Sequence, residues 1–102
     1  MDTSTADSLI RILLDKSRYI GERDDAAMDL GSFDEPEALD VLIQVATDVR
    51  EDDMILSSCG SSIKNIWIRQ GSYSLKKITV EMLNALTPEA KHECNIKIPL
   101  AD

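Results

Sequence analysis

RDDAAMDLGSFDEPEALDVLIQVA, residues 23–46, reads as two helices joined by a tight linker. Ala26, Ala27 and Leu30 make a narrow apolar stripe on the first helix, and Gly31 supplies its stop. The start of the second is marked by Asp34, Glu35, Pro36 and Glu37. An Asp cap followed three residues later by Glu is a variant of the capping box, and Pro is tolerated in a first helical turn. Leu39, Leu42, Ile43, Ala46 and Val49 then recur at spacings of three and four, while Val41 and Val45 widen the apolar arc. This second helix is predicted to lie at the centre of the core.

The same signals continue outward. Leu9, Ile10, Ile12, Leu13 and Leu14 predict a helix from about Thr5 to Arg18, capped by Thr5 or Ser4 and ended by Gly21. The helix carrying the alanine pair then spans about Glu22 to Leu30. Asp52 and Asp53 open a fourth helix, their charge opposing the positive end of its dipole. Along it, Ile55, Leu56, Cys59, Ile63, Ile66 and Trp67 follow the helical period, with Gly60, Ser61 and Ser62 small enough for a neighbour to approach. Gly71 ends this helix, residues 72–74 turn, and Leu75 to Leu86 form a fifth. Thr87 and Pro88 restart the chain as cap and first-turn proline for a last helix to about Asn95. Ile96, Ile98 and Leu100 alternate with Lys97 and Pro99, an extended pattern. Aromatic residues make up 4% of the chain, so aliphatics fill the core, which suits helix on helix. The expected fold class is all-α, about six short helices stacked as helical hairpins in one domain, residues 1–102.

Charge is segregated along the chain. Residues 22–53 carry twelve carboxylates against two cations, Arg23 and Arg50, a formal charge of −10; residues 1–21 contribute 0 and residues 54–102 contribute +2, giving the total of −8. A field of one sign attracts cationic partners and repels nucleic acid and anionic membranes. A solvated helix face with no partner accounts for the same pattern equally well. Cys59 and Cys94 lie 35 positions apart without a CxxC motif, which suits two buried small hydrophobes in a reducing compartment; one disulfide between them is the alternative. The opening residues lack a positive region followed by an apolar run, and nothing spans a membrane, so a cytoplasmic protein is expected.

On the residues Arg23 to Gly31, the linker Ser32 to Asp34, and Glu35-Pro36-Glu37-Ala38-Leu39 through Val45 and Asp48, the chain resembles a HEAT-like repeat. The features that match are an Arg with paired alanines, a Leu-Gly stop, a linker with Asp and Pro, an Ala-Leu-x-x-Leu second helix and a closing Asp. The likeness covers about 22–50 well and 52–70 loosely; residues 72–86 lack the Asp-Pro linker, and residues 1–20 match no repeat motif. It implies a HEAT-like α-solenoid fragment, in a family that is mostly binding scaffolds and includes some pigment-attaching lyases.

Little in the chain points to catalysis. There is no Gly-rich phosphate loop, His92 stands in no nucleophile motif, and Asp48 to Asp53 lacks the spacing and glycine of a calcium loop. No enzyme activity, cofactor, metal or small-molecule substrate is expected. Trp67 shares the stripe of Ile63 and Ile66 and is expected in the core; Tyr73 falls in a turn and Phe33 in a linker, where surface roles suit them, and Phe33 equally suits a staple at the start of the third helix. The leading expectation is a small acidic binding domain that acts as a stoichiometric inhibitor, as immunity proteins do against a basic toxin such as a nuclease. Asp24, Asp25, Asp29, Asp48, Glu51, Asp52 and Asp53 are its candidate partner-binding residues, Asp25 and Asp29 facing the same way at i and i+4. An adaptor binding through the small-residue face at Gly60 to Ser62 and Trp67, without inhibitory role, is the alternative.

Overall fold

The computed structural model describes residues 5–70 and 80–95. Six helices form among them: α1 (Thr5–Leu14), α2 (Ile20–Leu30), α3 (Pro36–Ala46), α4 (Asp53–Gln70), α5 (Val80–Ala85) and α6 (Pro88–Cys94). The described residues contain no strand. None of their helices is long and apolar enough to cross a membrane. Ser4, Gly71, Tyr73, Leu75, Ile78 and the alternating tail from Ile96 lie outside the described residues, so only the Val80–Ala85 part of the expected fifth helix is described.

Helix α1 ends at Leu14, with the last of its apolar residues and four residues short of the expected Arg18. Asp15 stops it: its carboxylate accepts from the backbone N–H of Ser17 at 3.0 Å and from the Ser17 hydroxyl at 2.6 Å, and its carbonyl accepts from Arg18 N at 3.0 Å. An Asp side chain that satisfies the backbone two residues on competes with continued helix. Gly21 therefore does not end α1 but lies in the first turn of α2, whose N-cap is Tyr19.

Two more boundaries differ from expectation, each for a local reason. The N-cap of α3 is Glu35, extended at ψ 136° and without a side-chain cap, because a residue before proline is driven out of the helical region. Asp34, expected as the cap, accepts from Arg69 Nε at 2.9 Å instead. At the other end α3 closes at Ala46, where the Thr47 hydroxyl donates to the Gln44 carbonyl at 2.9 Å. Val49, expected on the apolar stripe, is consequently 81% exposed in the following turn.

The remaining boundaries follow the sequence signals. The carboxylate of Asp52 accepts from Met54 N at 2.8 Å and caps α4. The Thr87 hydroxyl accepts from Ala90 N at 3.3 Å, Pro88 opens α6, and Asn95 closes it in the left-handed conformation at φ 42°. Asn is among the few non-glycine residues that enter that region readily.

Helix α4 is the hub of the packing, meeting α6, α3 and α2, while α1 covers α2; α2 and α3 touch each other only slightly. The core is aliphatic, with Leu13, Leu30, Leu42, Ile55, Leu56, Ile63 and Ile66 fully buried. Cys59 and Cys94 are both buried and are not joined by a disulfide, so the alternative pairing is not formed. Burial, with the negative charges of Glu51 and Asp24 nearby, pushes the Cys59 thiol up to about 12. Trp67 and Phe33 are half-buried against the core.

The small residues of α4 are where its neighbours come closest. A Cβ on Gly60 would overlap the carbonyl of Ala90, so α6 lies directly on the α4 backbone there. Gly31 does the same for α2: a Cβ would stand 2.8 Å from the Ser62 hydroxyl and 3.0 Å from the Ser62 Cα. Gly31 has φ −64°, so its value lies in this contact and not in left-handed freedom. The stretch Gly60 to Ser62 is thus largely an internal seam, and an adaptor surface centred on it has little open area.

Candidate protein-binding surface

Helices α2 and α4 run parallel and in step. Ser58 donates to Asp24 at 2.5 Å, Ser62 donates to the Ala27 carbonyl at 2.6 Å, and Arg69 donates to the Gly31 carbonyl at 2.8 Å, so residue numbers rise together along both helices. Their N-termini therefore lie at one end of the domain. Carboxylates gather there: Asp24 and Asp25 in the first half of α2, Asp52 and Asp53 at the start of α4. Two parallel helices bring like dipole ends together; the first-turn acids that face them are Glu22 in α2 and Asp53 in α4, and Asp24 and Asp25 lie in the turn after.

The seven candidate residues do not form one continuous face. Asp25, Asp29, Asp52 and Asp53 are exposed. Asp29, in the last turn of α2, stands roughly 6 Å further along the axis than Asp25 at 1.5 Å per residue. Asp24 is half-buried through its bond to Ser58. Asp48 is half-buried and lies 3.5 Å from Lys16; the backbone N–H of Arg50, then Lys16, hold its carboxyl below the ordinary value.

Glu51 points inward. It is 8% exposed and faces Arg23, itself 5% exposed, through a bidentate pair: Nη1 to Oε1 at 3.1 Å and Nη2 to Oε2 at 2.6 Å. Lys16 Nζ donates to Oε2 at 2.9 Å, and the backbone N–H of Asp52 donates to Oε1 at 3.0 Å. Arg23 Nε donates to the Leu13 carbonyl at 2.9 Å, one of the carbonyls that the end of α1 leaves without a helical partner. One ion pair thus ties the end of α1, the body of α2 and the turn before α4. Both oxygens of Glu51 are engaged inside the domain, so this carboxylate is not presented to a partner. Arg23 was legible as a core position, since it shares a stripe with Ala26, Ala27 and Leu30, and a cation there requires an acid to meet it.

Burial alone would raise the Glu51 carboxyl, but the hydrogen bonds from Arg23, the Asp52 amide and Lys16 outweigh it and bring the value from 4.5 to about 2. The folded value lies below the unfolded one, so this group stabilises the fold fully above pH 4.5, and that contribution is lost as pH falls through about 2. Urea midpoints taken across that window should decline with acid in the native chain. In Glu51→Gln the decline should be shallower, keeping only the part that Asp15, Asp48 and other carboxylates supply.

Among the described residues no group of three or more His, Cys, Asp or Glu side chains is arranged to hold a metal ion. His92 is exposed. An open cleft of about 390 Å³ on the outer side of α1 is lined by Ser8, Arg11, Ile12, Asp15 and Arg18. Arg18 is drawn there towards Asp15 and Glu22, at 3.7 Å from each. No known protein family, characterised protein or solved structure matches the chain.

Proposed function

We propose that this protein is a small acidic binding domain that occupies a basic partner stoichiometrically, as an immunity protein neutralises a nuclease or another basic toxin. The observation that carries this is the placement of its charge. Of the two cations in residues 22–53, Arg23 is buried and cancelled by the buried Glu51, so the −10 of that segment is carried by groups outside the core. Exposed carboxylates on rigid helix starts are suited to a cleft built for phosphate, and a field of that sign speeds the encounter.

The reading includes a HEAT-like stack. Its support is that α2 and α4 run parallel one helical hairpin apart, with Asp24 bonded to Ser58 at an offset of 34 residues and Ala27 to Ser62 at 35. That separation falls in the range of about 20–50 residues over which stacked helical units repeat.

The test begins with a lysate of the producing organism passed over the immobilised protein at low salt and eluted with rising salt. A single basic protein, released in stoichiometric amount and inhibited by this chain, is the expected result. The variant Asp25→Asn/Asp29→Asn/Asp52→Asn/Asp53→Asn should then associate about ten-fold more slowly at low salt and with a weaker salt dependence. Asn preserves the cap at position 52, so the thermal midpoint should barely move. Unchanged association kinetics would remove the acidic face from the mechanism.

A further inference from the structure

We infer that the end of the domain built from the α1–α2 and α3–α4 turns is the docking surface for a cationic protein segment, with Tyr19 and Val49 as its apolar anchors. The inference rests on the reading of the domain as a binder of basic protein and adds where and by what contacts it binds.

Six large hydrophobic side chains are exposed among the described residues, and four of them, Leu14, Tyr19, Val49 and Met54, belong to these two turns and the helix ends beside them. Single exposed hydrophobics are ordinary, whereas a concentration at one end marks an interaction surface. The turns adjoin: Lys16 in the first reaches Asp48 at 3.5 Å and Glu51 at 2.9 Å in the second, and the Arg23–Glu51 pair locks the junction from inside.

The backbone under one anchor is fixed, and the other rests on backbone. Tyr19 is 73% exposed, yet its ring lies on the backbone of Gly21, with Cε2, Cδ2 and Cζ at 2.7, 3.2 and 3.5 Å from the position a Gly21 Cβ would take. The glycine makes room for the ring. Val49 sits in a turn closed by Glu51 N donating to the Asp48 carbonyl at 3.0 Å and Arg50 N donating to the Asp48 carboxylate at 2.9 Å. Side chains already placed lose little freedom on binding, which is where an exposed aromatic contributes most to an interface.

Charge selects the occupant. Residues 15–25 carry −1 and residues 47–54 carry −3, so this end has a formal charge of −4. A second copy docking here would set −4 against −4 and is disfavoured, while a segment that alternates cations with apolar side chains satisfies both the charge and the anchors.

Two synthetic peptides of equal length and equal positive charge test this, one with Leu and Trp between its lysines and the other with Ser. Titrated at low salt into the isotopically labelled full chain, the apolar peptide should bind about ten-fold more tightly and shift the amide signals of Tyr19, Gly21, Val49 and Arg50. The double variant Tyr19→Ala/Val49→Ser should bind both peptides alike, whereas Met28→Ser, also at an exposed apolar position, should keep the ten-fold preference. Equal binding of both peptides by the native chain, or a preference that survives in the double variant, would overturn the anchors while leaving the acidic binder intact. Failure of both peptides to bind would overturn both.

Discussion

Glu51→Gln should destabilise the fold by about 3–5 kcal/mol, the cost of leaving a buried partner charge uncompensated. Gln keeps the size and one acceptor of the native side chain, and its NH2 turns the other oxygen's site into a donor, so the loss joins the charge to the hydrogen bonds of that oxygen. Arg23 cannot respond by giving up its proton, because a guanidinium stays charged across the accessible pH range. It is 5% exposed and cannot turn to water without breaking its bond to the Leu13 carbonyl and opening the end of α1. For a domain of this size the loss corresponds to a thermal midpoint lower by about 15 °C or more. The double variant Arg23→Met/Glu51→Leu removes both charges and should recover much of the loss, since apolar replacement of a whole buried pair is often neutral. If the double variant is no more stable than the single one, the hydrogen bonds to Leu13 and Asp52, and not the charge, carry the stability.

Gly60→Val has the second large expected effect. A side chain there would meet the Ala90 carbonyl, which is helix backbone and cannot rotate aside as a side-chain tip could. Helix α6 would have to lift, exposing Ala90 and Cys94, and overpacking of this kind costs on the order of 3 kcal/mol. The effect is local in a way that can be read directly. Amides of α6 should lose hydrogen-exchange protection while those of α2 keep theirs, and Cys94 should react with a thiol reagent that the native protein resists. Uniform loss of protection would mean that α6 is essential to the whole core.

Much of this architecture was legible before the structure. Thr87 with Pro88, Asp52 with Asp53, and the Leu39–Leu42–Val45 period each mark an element through local chemistry, and local chemistry survives in the fold. What was illegible is partly a competition between local signals and partly contact between residues far apart in the chain. Gly21 looks like a helix stop, but Asp15 with Ser17 ends α1 first and leaves the glycine in the first turn of α2. Asp34 looks like a cap, but Pro36 holds Glu35 extended as the N-cap and leaves Asp34 to Arg69, thirty-five positions on. Glu51 counts as one more acid in an acidic run, and only the position of Arg23 on the buried stripe hints that the two cancel. The candidate surface was legible as charge and not as shape: the acids are counted from composition, while Val49 stands out among them because α3 stops sooner than its periodicity predicts.

The bonds that seat α4 on α2 and its linker, from Ser58 to Asp24, from Ser62 to the Ala27 carbonyl and from Arg69 to Asp34, also make the chain sensitive to length in a discrete way. One residue inserted into α4 after Ser58 would turn Ser62 and Arg69 by roughly 100° about the helix axis and carry both away from their acceptors on α2 and its linker. The α1–α2 and α3–α4 turns offer no freer place for an added residue, because Lys16 in the first and Glu51 in the second are bonded to each other and, through Glu51, to Arg23. Chain length is therefore fixed along α4 and at the junction that precedes it.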